Sequence, residues 1–133
     1  MADIYEFVGR EFDWFAIDSS RCIALFSTAG IGYIPHAVMK FFSEHDEISQ
    51  SIDSPNWGSS SVWDDYAKLG LYVYDWNLNE GPYVRVCIPE IQAEAKLIQM
   101  VDSLVALPKF TGKFDDVQEF EDLGSWHDID SQV

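Results

Sequence analysis

Positive charge is scarce in this chain. Of 133 residues, 8 are Lys or Arg and 23 are Asp or Glu, a formal net charge of −15. The bases (Arg10, Arg21, Lys40, Lys68, Arg85, Lys96, Lys109 and Lys113) are scattered. Nucleic-acid binding replaces counterions with clustered Lys and Arg, and anionic membranes demand the same. Nucleic acid and membrane surfaces are therefore excluded as direct partners. Cysteine is almost absent: Cys22 and Cys87 are the whole supply, too few for a disulfide scaffold. No apolar run approaches the ~20 residues of a membrane span. The opening MADIYEFVGREFDWF lacks the basic stretch and apolar core of an export signal. A cytoplasmic location is expected, with both cysteines as free thiols inside the core.

Chemical motifs are missing too. His36, His45 and His127 match no zinc spacing, and there is no C-x-x-C. No metal or other cofactor is expected. AGIGYIP (29–35) has the Gly30-x-Gly32 start of a phosphate loop but no third glycine and no Walker lysine. Its bland reading is a pair of backbone turns. The acid pairs Asp64-Asp65, Asp115-Asp116 and Glu121-Asp122 are sequence neighbours. Neighbours diverge on a strand or a helix and form no catalytic dyad. Asp75 with Glu94-x-Lys96 imitates a nuclease pattern, but residues 94–96 read as helix. Gly58-Ser59-Ser60 does not match a nucleophile elbow. The chain is expected not to be an enzyme.

What the chain does have is aromatic residues, at 15%, and 47% hydrophobic content. That is enough for one compact domain spanning 1–133, ending in an acidic segment, 115–133. FDWFAID (12–18) and RCIALFST (21–28) flank Ser19-Ser20 as a hairpin. Phe12, Trp14 and Ala16 share one face and Asp13, Phe15 and Ile17 the other, so the strand is expected to be covered on both sides. HAVMKFFSEHDEIS repeats Val38, Phe41, Phe42, His45 and Ile48 at helical spacing after Pro35. SVWDDYAKL is a second, short helix with Ser60 or Ser61 as N-cap and Gly70 as its stop. LYVYDWN (71–77) and YVRVCIP (83–89) form a second hairpin. There Leu71, Val73 and Asp75 oppose Tyr72, Tyr74 and Trp76, and Val84, Val86 and Ile88 alternate with Tyr83, Arg85 and Cys87. Residues 93–107 carry Leu97, Ile98, Val101, Leu104 and Val105 on one helical face, ended by Pro108. KFTGKF is a turn or short strand, and VQEFEDL a final edge strand. The expected class is α+β: an antiparallel β-sheet built from hairpins, packed against two or three helices.

Charge placement carries the functional argument. Residues 115–133 hold seven acids and no base, interleaved with Val117, Phe120, Leu123, Trp126 and Ile129. Asp64, Asp65, Asp75 and Glu80 form a second acidic group. A one-sided excess of this size destabilises a compact chain unless it is used. Acids studded with aromatics suit protein recognition, where buried rings anchor and the field speeds encounter. The candidate partner-binding face is Asp64, Asp65, Asp75, Trp76, Glu80, Asp115, Asp116, Glu119, Glu121 and Asp122.

Three stretches, DWFAIDSSRCIALFSTAGIGYIP, GLYVYDWNLNEGPYVRVCIPE and LPKFTGKFDD, carry a family likeness. The pattern resembles small acidic bacterial immunity proteins encoded beside polymorphic toxins, including those of contact-dependent growth inhibition systems. It covers residues 11–118. The resemblance implies an inhibitor that binds and neutralises a cognate, basic, nuclease-type toxin domain in the cytoplasm. Such families diversify their binding surface, so no site residue is carried over. Two readings from other classes compete. One is a small hydrolase or nucleotide-binding enzyme using the Gly30-Gly32 loop; the other is an acidic nucleic-acid mimic that blocks a DNA-binding protein.

Overall fold

A computed structural model describes residues 12–28, 33–52, 61–77 and 81–120. Two hairpins build the sheet, as their apolar runs predict. β1 (Asp13–Ile17) and β2 (Ile23–Ser27) pair antiparallel, with Ile17 opposite Ile23. Their connection is five residues, 18–22, where two were expected. Asp18 accounts for it: its Oδ1 accepts the Ser20 and Cys22 amides at 2.8 and 2.9 Å, and Arg21 takes φ 64°. β3 (Leu71–Trp76) and β4 (Tyr83–Cys87) form the second antiparallel pair. β5 (Glu119–Phe120) adds a short edge to β4.

The α+β class holds, but the sheet is mixed and not wholly antiparallel. In the order β1-β2-β3-β4-β5, the hairpins meet through a parallel pair, Ile23 opposite Leu71. Parallel neighbours need a long crossover. Residues 28–70 supply it and carry α1 (His36–Lys40), α2 (Phe42–Ser51) and α3 (Val62–Lys68). With α4 (Ala95–Asp102) the described residues hold four helices, against the two or three expected.

Both faces of the sheet are buried. One is aromatic: Phe12, Trp14, Phe26, Tyr72, Tyr74 and Tyr83 pack with Val38, Phe114 and Phe120. The other is aliphatic: Phe15, Ile17, Ile23, Leu25, Leu71 and Val73 pack with Ile48, Val62, Tyr66 and Val101. The alternation read in β1 and β3 is therefore correct. So is the expectation of cover on both sides.

The helix predicted from His36 breaks at Phe41, which takes φ −121° and ψ 33°. Val38 before the break packs in the aromatic face, and Ile48 after it packs in the aliphatic one. The chain turns at Phe41 to wrap around the edge of β1. Ser61 is the N-cap of α3, without a side-chain cap bond. Gly70 follows that helix at φ +89°, where an added Cβ would lie 2.4 Å from the Ala93 amide nitrogen, so glycine is required there. α4 stops at Asp102, short of the predicted 107. The next segment must become extended, since Ile17 donates to Pro108 O at 3.2 Å and accepts from Phe110 N at 2.9 Å.

Candidate functional site

Residues 114–120, where the acidic segment begins, are fastened to the sheet by polar side chains and by buried rings. Phe114 and Phe120 are buried in the aromatic face, in ring contact with Tyr74 at 5.9 and 4.9 Å. Three side chains then hold the backbone around them, and a fourth, Tyr72, holds a carboxylate. Asp18 Oδ2 accepts the Phe114 amide at 3.0 Å. Tyr74 OH donates to Val117 O at 2.6 Å and lies 3.1 Å from Phe114 O. Arg85 Nη1 donates to the carbonyls of Phe114 and Asp115 at 2.8 and 3.0 Å. Tyr72 OH donates to Asp115 Oδ1 at 3.2 Å. The side chains of Asp115, Asp116 and Glu119 stay exposed. Apolar residues among the acids thus anchor a charged segment in a fixed place.

β5 covers only the beginning of β4. It pairs at Tyr83 and Val84, and the Arg85 amide donates to Gln118 O at 2.7 Å. Past that point the chain of residues 114–117 turns away. At the same place β4 is irregular, because Tyr74 faces Arg85 while Val73 faces Cys87, leaving Val86 as an extra residue. The bulge reverses the faces of the strand. Tyr83 points into the aromatic core, and Cys87, which simple alternation would place beside it, points into the aliphatic one. The expected alternation across 83–88 fails here. Val86 in the bulge, and Ile88 and Ile91 just past the end of β4, form an exposed aliphatic strip along the chain, at 41%, 53% and 55% exposure.

Acids flank that strip. On the aliphatic side, Cys87 Sγ lies 3.2 Å from Trp63 O at α3. Its thiol pKa is pushed up to about 11, by burial first and then by the charges of Asp64 and Glu90. On the aromatic side, burial pushes the Tyr72 hydroxyl up to about 12, and the Asp115 charge adds to it. Burial likewise raises Cys22, helped by Asp18 and Asp115. Both thiols are free and protonated at neutral pH, so neither is a ready nucleophile. Between the acid groups, Arg85, Val86, Cys87, Ile88 and Gln118 line an open surface depression of about 400 Å³.

The predicted face is thus divided. Asp64 is exposed on α3 beside the β4 strip, whereas Asp65 is buried on the same helix. Asp75 and Trp76 are half-buried at the far end of β3, in register with Val84 and Tyr83. Trp76 packs edge-on to Tyr83 at 4.9 Å. Its ring also fills the space a Cβ at Gly81 would need, at 2.6 Å. Asp115, Asp116 and Glu119 are exposed together on the other side of the strip. Glu80, Glu121 and Asp122 lie outside the described residues, as do the Gly30-Gly32 loop and His127. The sequence reading missed Val86, Ile88, Glu90 and Ile91. The available signal was IPEI (88–91), aliphatic residues around an acid just past a proline-ended strand.

Among the described residues no group of three His, Cys, Asp or Glu side chains could hold a metal ion. No described helix is long and apolar enough to cross a membrane. Comparison with protein-family models, with curated proteins and with solved structures gives no match.

Proposed function

We propose that this chain is an immunity protein that binds and neutralises a basic bacterial toxin domain, of nuclease type, through its acidic surface. The observation that carries this reading is the fastening of residues 114–119. Phe114, Asp18, Tyr74 and Arg85 fix the backbone that carries three exposed carboxylates, where a solvated tail would leave that backbone free. Fixed charge supports recognition because less side-chain and backbone freedom is lost on docking. The net charge of −15 steers a cationic partner, and steering appears mainly in the association rate. A nuclease domain presents a basic substrate groove, which complements such a surface.

The test is co-expression with the product of each adjacent reading frame, followed by growth rescue and affinity capture. One neighbour is expected to arrest growth alone and to be captured and silenced by this chain. The combined variant Asp115→Asn, Asp116→Asn, Glu119→Gln is expected to slow association roughly tenfold at low salt and flatten its salt dependence. Capture of neither neighbour at low or high salt would overturn the reading. So would turnover of a nucleotide or an ester by the purified chain.

A further inference from the structure

We infer that the outer edge of β4 beyond Arg85 is a docking seam for an extended, Lys- and Arg-rich segment of a partner protein, laid in line with β5. The seam is read from strand pairing, exposure and charge; only the statement that its owner is a toxin rests on the function proposed above.

Three observations converge on it. First, β5 stops short: its ladder ends at Val84, its last bond reaches Arg85, and no described segment pairs with β4 further on. An uncovered strand edge accepts an added strand through its main chain, with side chains supplying selectivity. Second, Val86 on β4 and Ile88 and Ile91 in the segment directly after it are exposed. They account for three of the five large hydrophobic residues exposed among the described ones, so the apolar surface is concentrated here. Third, acids lie on both sides of the strip, Asp64 and Glu90 towards α3 and Asp115, Asp116 and Glu119 towards β5. An occupant with alternating aliphatic and basic side chains meets apolar surface in the middle and carboxylates at both rims.

Charge also decides against the commonest alternative occupant, a second copy. Edge-to-edge pairing of two identical chains would set five acids of each against five like charges, within two molecules each at −15. The Val86 bulge and Pro89, which has no amide hydrogen, keep the seam short. A short, twisted edge discourages unselective sheet growth, so affinity must come from the matching side chains and charges.

The probe is a synthetic peptide alternating lysine with valine, added to the full-length chain and followed by fluorescence anisotropy and amide exchange. Binding is expected at low salt, weakened at high salt, with slowed exchange confined to residues 84–91. The double variant Ile88→Ser, Ile91→Ser is expected to lose at least roughly tenfold in affinity, and Val105→Ser, an exposed apolar residue beyond α4, none. A lysine homopolymer should bind more weakly and leave residues 84–91 unprotected. The seam is overturned if the alternating peptide does not bind, if protection falls elsewhere, or if the double variant binds like the parent. Equal binding of the homopolymer, or sedimentation showing a dimer that the double variant abolishes, overturns it as well. Peptide binding without capture of either neighbouring gene product would sink the immunity reading and leave the seam standing. The reverse result would sink the seam alone.

Discussion

Where β1 faces away from the sheet, its backbone is met by partners. The Phe15 amide donates to His45 Nδ1 at 3.1 Å, and Ile17 exchanges bonds with Pro108 and Phe110. Where β4 faces away, no described segment pairs with it beyond Arg85, and Val86, Ile88 and Ile91 are exposed there. The two edges of one sheet are finished in opposite ways. At β1 a helix and an extended segment wrap the edge, and even a histidine is buried to satisfy it. At β4 a two-residue strand, a bulge and a ring of acids leave it short and charged. Natural sheets guard their edges by either device, but only the second leaves main chain and apolar surface within reach of another molecule. On the proposal above, the covered edge serves stability, and the edge that no described segment pairs with serves recognition.

The comparison breaks most severely at Asp18, which lies at the β1–β2 turn yet fastens the segment that shields β4. This buried carboxylate accepts the amides of Ser20, Cys22 and Phe114. Bonds to a charged acceptor contribute about 1.5–3 kcal/mol each, and orphaned buried donors cost about as much. Asp18→Ala is therefore expected to destabilise by about 4 kcal/mol in urea titration. Amide exchange in residues 114–120 should accelerate more than in α4. If exchange in 114–120 stays slow, the latch is not made by Asp18.

At the covered edge the expected effect depends on pH. His45 is buried, and its Nδ1 accepts from Phe15, so the ring is neutral with its proton on Nε2. Nε2 meets no hydrogen-bond partner among the described residues. Burial lowers the pKa from 6.5 to about 4. The unfolded chain therefore binds the proton first as pH falls, and stability rises with pH wherever the unfolded state holds more protons. The contribution is complete above pH 6.5 and is lost between 6.5 and 4, by at most ~1.4 kcal/mol per unit, or about 3 kcal/mol in all. In His45→Asn the side-chain oxygen takes the place of Nδ1. That variant should be less stable at neutral pH but flatter across the same window. Parallel pH profiles for parent and variant would show that His45 does not set this dependence.

Much of this architecture was legible because local pattern and tertiary placement agree. In β1 and β3, alternate residues go to opposite cores, as their spacing says. Gly70 ends α3 as its backbone chemistry requires, whereas α4 ends at Asp102, well before Pro108. The misreadings share a cause: each depends on a neighbour distant in the chain. Val38, Phe41, Phe42, His45 and Ile48 keep helical spacing through the break at Phe41, since the reason to break is the edge of β1. The parallel meeting of two local hairpins leaves no mark on either. The bulge at Val86 reverses an alternation that looks regular in YVRVCIP, and so nothing in the strand pattern marks Val86 and Ile88 as exposed. The acids were visible as composition; that Asp65 is buried while Asp64 stays exposed depends on how α3 rests on the sheet.

The smallest expected effect sharpens the comparison most. If the strip at the β4 edge exists for recognition, removing its apolar side chains should barely alter folding. Ile88 and Ile91 are more than half exposed, and substitutions at such positions away from caps and networks stay within about 0.5 kcal/mol. Ile88→Ser, Ile91→Ser is expected to unfold within that margin of the parent, and solubility should rise as an exposed apolar patch disappears. By contrast, Phe15 is fully buried beside the other edge, and Phe15→Ala should cost about 3–5 kcal/mol. Denaturant midpoints for the two variants, read at equal slope, measure the asymmetry directly. A loss of more than about 2 kcal/mol from the double serine variant would mean the strip supports the fold, and the division of labour between the two edges would not hold.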